Sequence, residues 1–310
     1  MGSRIRTTIL LAVLTVVIMW VGKIIGGTPG MIFALLIAGG VNFFSYWYSD
    51  KMVLKMYRAQ PVTRQDAPDL YNLVESLTAK AELPMPKLYI IPQQSPNAFA
   101  TGRNPENAVV AVTEGLLRYM NRDELAGVIA HELGHIQNRD MLIQTIAATM
   151  AGAVMMLATL ARWSAIFGGI GGGDNEEGGG IIGLLVMSII APLAAMLIQM
   201  AISRSREYLA DSTSAKITGN SEGLASALQK LGAYSKQIPM QAEPATAHMF
   251  IANPLSGQRM TNLFSTHPPI EKRIARLSGS SSSDIQNPEN RPGGKTISDE
   301  AKDFWNRMSG

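Results

Sequence analysis

The five residues His131-Glu132-Leu133-Gly134-His135 constrain this 310-residue chain more than any other feature, because their spacing carries chemistry only on a helix. Four residues apart, the two imidazoles then stand one above the other on the same helix face and can share one metal ion. Glu132 follows the first of them directly. Its carboxylate lies beside the ion, off the axis of the histidine pair, where it can take a proton from a water that the ion polarises. The flanks agree with a helix: Asn121 suits an N-cap, Asp123 and Glu124 put negative charge into the first turn, and Leu125, Val128, Ile129, Leu133 and Ile136 supply an apolar stripe.

Two histidines do not complete a catalytic zinc site, which commonly takes three protein ligands and leaves a fourth position to water. The chain has no cysteine, so thiolate ligands and Cys nucleophiles are excluded. Among downstream carboxylates Glu207, in the stretch SRSREYLAD, is the best candidate, because its surroundings have a helical pattern and Asp211 follows one turn later on the same face. Asp211 can then accept the second ring N–H of a zinc-bound histidine and fix its tautomer. The bland reading of Glu207 and Asp211 is a solvated helix face paired with Arg204 and Arg206.

What surrounds this motif is unusually apolar. Hydrophobic residues make up 46% of the chain, charged ones only 16%, and the mean hydropathy is +0.10, whereas soluble domains carry about 25% charged residues. The apolar residues are clumped. Residues 9–21, continuing through Lys23 to Ile25, and residues 31–46 form one pair of runs joined by Gly26-Gly27-Thr28-Pro29-Gly30, which reads as a tight turn in a helical hairpin. With their flanks they approach the ~20 residues needed to cross a bilayer. A cleaved signal peptide is the alternative for the first run. A second pair, 141–167 and 181–202, begins directly after the histidine helix and is joined by a Gly-rich acidic connector, 168–180. It reads as two further spans, or alternatively as a helical hairpin packed on the soluble domain or lying against the membrane. Arg4, Arg6, Lys51, Lys55, Arg58, Arg204 and Arg206 flank the outer ends of these runs, which puts those ends, and the metal site with them, on the cytoplasmic side.

Between the apolar pairs the composition is that of a soluble α+β domain. A helix is expected over 66–81, strands at 87–91 and 108–112, a short extended piece over 97–103 and a short helix over 113–120. After residue 202 helical patterns recur at 204–216, 220–236 and 269–277, and the Ser-, Pro- and Gly-rich residues that follow read as a flexible tail. His248 lacks a motif or helical partner and reads as a surface residue. The division expected is a hairpin over 1–50, the first part of a zinc peptidase domain over 51–140, a second hairpin over 141–203, the rest of the domain over 204–277, and a tail over 278–310. The net charge of +3 and pI near 9.1 come without aromatic-flanked basic patches, so no nucleic-acid partner is expected.

HELGH, the apolar hairpin after it, SREYLAD and the later STHPP together resemble the HtpX-type membrane zinc proteases, relatives of the CAAX-prenyl endopeptidases. The resemblance covers roughly residues 4–277. It implies a mostly helical α+β gluzincin fold with four hydrophobic transmembrane helices, one zinc ion held by His131, His135 and Glu207, and Glu132 as general base. It also implies a multi-pass protein of the bacterial inner membrane whose cytoplasmic active site hydrolyses misfolded or damaged membrane proteins, so that unfolded polypeptides and the lipid bilayer are its partners. SPNAFATG, residues 95–102, resembles the family's edge-strand segment, where Asn97 and Ala98 would meet an extended substrate; an ordinary turn and edge strand is the alternative. His267, in STHPP, would help to stabilise an oxyanion, or else simply cap the helix that follows. A narrower CAAX-type or small-peptide peptidase and a non-catalytic membrane scaffold or chaperone with structural metal are the competing functions.

Overall fold

The computed structural model describes residues 3–147, 204–243, 246–254 and 268–279. The second apolar pair beyond residue 147, the 168–180 connector, His267 and the tail from 280 onward lie outside these residues.

Four strands make one sheet: β1 (Gln60–Val62), β2 (Lys87–Ile91), β3 (Ala98–Thr101) and β4 (Val109–Thr113), in the order β1-β2-β4-β3. β2 and β4 run parallel, with Leu88 opposite Val110; the outer pairs are antiparallel, with Ala98 opposite Val112 at the β3 edge. Side chains alternate across the pleat. Leu88, Ala98, Ala100, Val110 and Val112 therefore pack into a helical core, while Ile91, Phe99, Val109 and Ala111 pack into a smaller layer with Val53, Leu54, Tyr57 and Phe250. A strand covered on both faces needs an unbroken apolar run, and VVAVT of β4 is buried throughout.

The helical core is built from α2 (Pro68–Lys80), α4 (Arg122–Gln137) and α6 (Glu222–Gln237), which bury Leu73 and Val74, Ile129 and Leu133, and Leu228 and Leu231 respectively. Burying each such side chain is worth about 1.5–3 kcal/mol. The short α3 (Glu114–Tyr119) leads into α4, whose start is fixed by a reciprocal cap: Asn121 Oδ1 accepts from the Glu124 N–H, and Glu124 Oε2 accepts from the Asn121 N–H, both at 2.9 Å. Glu124 does more than charge the first turn. It is buried and accepts Ser226 Oγ at 2.6 Å and Lys230 Nζ at 2.8 Å, which ties α4 to α6.

α4 packs closely on α5 (Arg204–Thr218) because the motif carries Gly134. A Cβ there would stand 3.1 Å from Ala210 Cα, so a larger residue would hold Glu207 away from the histidines. The last helix, α7 (Ile270–Ser278), packs on α5 and α6.

The first apolar pair differs from the hairpin expected. It forms one helical element, α1 (Ser3–Met56), and the expected turn shows only as Gly27 at φ +61° and Pro29 inside the helix. Proline withholds one helical N–H and crowds the carbonyl four residues back, so regularity is disturbed there without ending the element. Its described side chains expose much apolar surface, including Val16, Ile32, Phe33, Leu36, Phe43 and Phe44. Among the described residues no helix is long and apolar enough to cross a membrane.

Candidate metal centre

Helix α4 delivers His131 and His135, and α5 delivers Glu207, into one buried point between them. His131 Nε2 and His135 Nε2 are 3.2 Å apart, and the Glu207 carboxylate oxygens stand 3.5 Å from His135 Nε2 and 3.8 Å from His131 Nε2. Tetrahedral ligands with bonds of about 2.0–2.1 Å stand roughly 3.3–3.4 Å from one another. The triad therefore fits one small cation, and its ligand atoms all lie within 4.8 Å of each other.

Charge gives a second, independent test of fit. Glu132, Glu207, Asp211 and Asp140 are buried in this cluster with Arg206 and Arg273. Among the described residues the carboxylates exceed the guanidiniums by two, which is the charge of one divalent cation. In the polypeptide alone, protons supply that charge. Burial, reinforced by nearby Glu207, pushes the Glu132 carboxyl up to about 7 against the opposing pull of His135 and the Ala100 N–H. Burial lowers the pKa of His135, but Asp140, Glu207 and Glu132 outweigh it and carry the imidazole up to about 9. Such shifts are what a cation would reverse.

Each histidine has its own carboxylate behind it. Asp211 Oδ1 is 3.0 Å from His131 Nδ1, and Asp211 in turn receives Arg273 Nε at 3.0 Å and Nη2 at 2.6 Å. Burial raises the Asp211 carboxyl, but Arg273 and His131 together hold it below its usual range. Behind His135 stands Asp140, its Oδ2 3.6 Å from Nδ1, with Arg206 Nη1 3.6 Å from Oδ1. The end of α4 places Asp140 there: Arg139 turns left-handed at φ +56°, the Asp140 N–H returns to the His135 carbonyl at 3.0 Å, and the Arg139 N–H returns to that of Ile136 at 3.1 Å. That pair of bonds is the Schellman closure of a helix.

The structure thus brings His131, Glu132, His135, Glu207 and Asp211 together. Glu207 and Asp211 are buried, not a solvated face, and Arg206 is drawn inward to Asp140. Asn97 and Ala98 are buried as well. The Ala98 carbonyl accepts the Ile251 N–H at 3.1 Å, and the Asn97 side chain holds both backbone groups of Ala252. His248 is not at the surface as expected: it is buried beside the Gln144 carbonyl, 3.1 Å from Nε2. Sequence reasoning missed Asp140 and Arg273. The signal for Arg273 was present, since it shares the helix face of Ile270, Ile274 and Leu277, where an arginine has no reason to sit unless it meets a buried acid.

Residues 64–281 match the sequence profile of peptidase family M48. The chain is 61% identical over 311 residues to a protease HtpX homolog of Desulfatibacillum aliphaticivorans, covering 99% of this chain and all of that one. It is 56% identical over 277 residues to a protease HtpX homolog of Pyrococcus furiosus, covering 89% and 95%. The crystal structure of S. mikatae Ste24p shares the fold, with a TM-score of 0.51 at 18% identity over 86% of this chain; the chain spans 62% of that protein's length.

Proposed function

The chain belongs to peptidase family M48, and from that premise we propose that it is a membrane-embedded zinc endopeptidase that hydrolyses misfolded or damaged membrane proteins. The observation that carries the reading is the convergence of His131, His135 and Glu207 on one point with Glu132 beside it. Among the described residues three protein ligands converge, the number that suits a catalytic ion. Zinc bound there supplies Lewis acidity, polarising the scissile carbonyl and lowering the pKa of a water.

The chain's own residues do the rest. Glu132 accepts the proton of the attacking water and passes it to the leaving amine. The Ala100 N–H on β3 favours the charged form of that carboxylate. Asp211 and Asp140 orient the two imidazoles from behind. The β3 edge, with Asn97 and Ala98, is the place for an extended substrate backbone, and His267 is assigned the oxyanion.

The membrane setting is supported by α1, whose described side chains expose much apolar surface, and by Trp20, Trp47 and Tyr48, which suit an interfacial belt. We assign spans to the four apolar runs, the zinc site to the cytoplasmic side, and the protein to the bacterial inner membrane.

Replacing Glu132 by Gln tests the reading. The variant should fold and keep about one zinc per chain, yet lose about a hundredfold or more of its cleavage of a model membrane substrate, the scale of lost general-base catalysis. Undiminished cleavage removes the proposed base. In oriented vesicles, added protease should cut the 168–180 connector from the side opposite the zinc domain.

A further inference from the structure

The side of β3 that faces the metal centre is already paired, and its partner is the chain itself. Beyond the Ile251-to-Ala98 hydrogen bond, the Asn97 side chain donates to the Ala252 carbonyl at 2.9 Å and accepts its N–H at 3.3 Å, as a neighbouring strand would. The Ile251 carbonyl accepts Arg273 Nη1 at 3.1 Å, and the same Nη1 lies 3.6 Å from Glu207 Oε2. Residues 250–252 thus run along the edge strand within one side chain of a metal ligand. Ile251 and Ala252 are buried in the helical core, and Phe250 packs edge-on against Tyr57 and Phe99, with ring centroids 5.0 and 5.2 Å away.

We propose that residues 250–252 are a resident occupant of the substrate's place, so that the protein is closed at rest and its substrates are extended, apolar stretches of polypeptide that displace this segment from β3. The proposal rests on the peptidase reading above. Exchange is feasible because the groups that clamp the segment are generic to any backbone: one carbonyl, one carboxamide and one guanidinium. An incoming extended chain satisfies all of them again, leaving the hydrogen-bond count unchanged. What is not returned automatically is the apolar burial of Phe250 and Ile251. Only a substrate bringing its own apolar side chains to those positions recovers it, which selects unfolded hydrophobic sequence over polar or folded chain. A resident occupant also weakens apparent substrate binding by the fraction of time the edge is open.

The substitution Ile251→Pro removes the N–H that Ala98 accepts. Phe250 already sits at φ −83°, ψ 143°, within the extended region that a residue before proline favours. One lost backbone hydrogen bond shifts the closed-to-open ratio by about fivefold. The zinc-loaded, detergent-solubilised full chain should therefore cleave a quenched fluorogenic peptide rich in aliphatic residues with kcat/KM raised about fivefold, mainly through a lower KM. Unchanged or reduced kcat/KM in folded, zinc-loaded variant overturns the proposal and leaves the peptidase reading standing. Absence of chelator-sensitive cleavage by the unsubstituted chain strikes the peptidase reading instead. Amide hydrogen exchange covers the case in which Ile251→Pro does not fold. In Glu132→Gln protein saturated with unfolded casein, residues 248–254 should lose protection; unchanged or increased protection overturns the proposal.

Discussion

His131 and His135 sit one turn apart on the same helix and both are buried, yet their surroundings treat them in opposite ways. Asp211, behind His131, is committed to Arg273 through two short hydrogen bonds, and Arg273 Nη2 also stands 3.4 Å from both ring nitrogens. Burial and that guanidinium push His131 down to about 4. Asp140, behind His135, meets Arg206 only at 3.6 Å, too long for a hydrogen bond, and its charge stays available to the imidazole. A carboxylate spent on an arginine orients a neutral histidine; a less committed one invites a proton. One ligand is thus held ready for metal and the other must first be deprotonated.

The largest break in this comparison comes from Arg273→Met. It leaves Asp211 buried without its cation, a loss of about 3–5 kcal/mol in stability, read as a lower denaturation midpoint. Arg273→Lys should recover little, since an ammonium cannot reproduce the two-pronged contact. Next in size, Asp211→Asn should weaken zinc binding by about 10–100-fold in chelator competition. Asp140→Asn should cost less than Asp211→Asn in the same assay, because its contact to His135 is 3.6 Å against 3.0 Å. Equal losses would erase the distinction drawn between the two sides.

The smallest effect is in protons. At pH 7.5 metal-free His135 is charged and His131 is neutral, so zinc uptake should release about one proton from the pair, measured by calorimetry in buffers of different ionisation enthalpy. Affinity should rise with pH up to about 9, where His135 deprotonates unaided, and rise more steeply below about 7, where Glu132 also carries a proton. For stability of the metal-free chain the signs differ. His135, raised above its unfolded value, contributes below pH ~6.5 and loses that contribution as pH climbs toward about 9. His131, depressed, costs stability as pH falls from ~6.5 toward about 4. Asp140→Asn should reduce the proton release at pH 7.5.

Much of the site was legible because local periodicity encodes it. The i, i+4 spacing of the histidines, the Asn121 cap and the Glu207–Asp211 spacing are all properties of single helices, and the structure places them as read. Asp140 escaped because it depends on how α4 ends, through a left-handed Arg139 that no periodicity announces. Arg273 and the 250–252 segment escaped because their partners are distant in sequence: Asp211 lies 62 residues from Arg273, and Asn97 lies 155 residues from Ala252. The strands at 87–91 and near 108–112 were readable as buried β-rich runs; three-residue β1 and the strand order were not, since pairing is decided by tertiary contacts.

Metal stoichiometry of Glu207→Ala, determined on folded detergent-solubilised protein beside the unsubstituted chain, tests the central claim most directly. A ligand set shared between α4 and α5 predicts about one zinc per chain for the unsubstituted protein and a large deficit in the variant. Full and equally tight zinc loading of Glu207→Ala would contradict it.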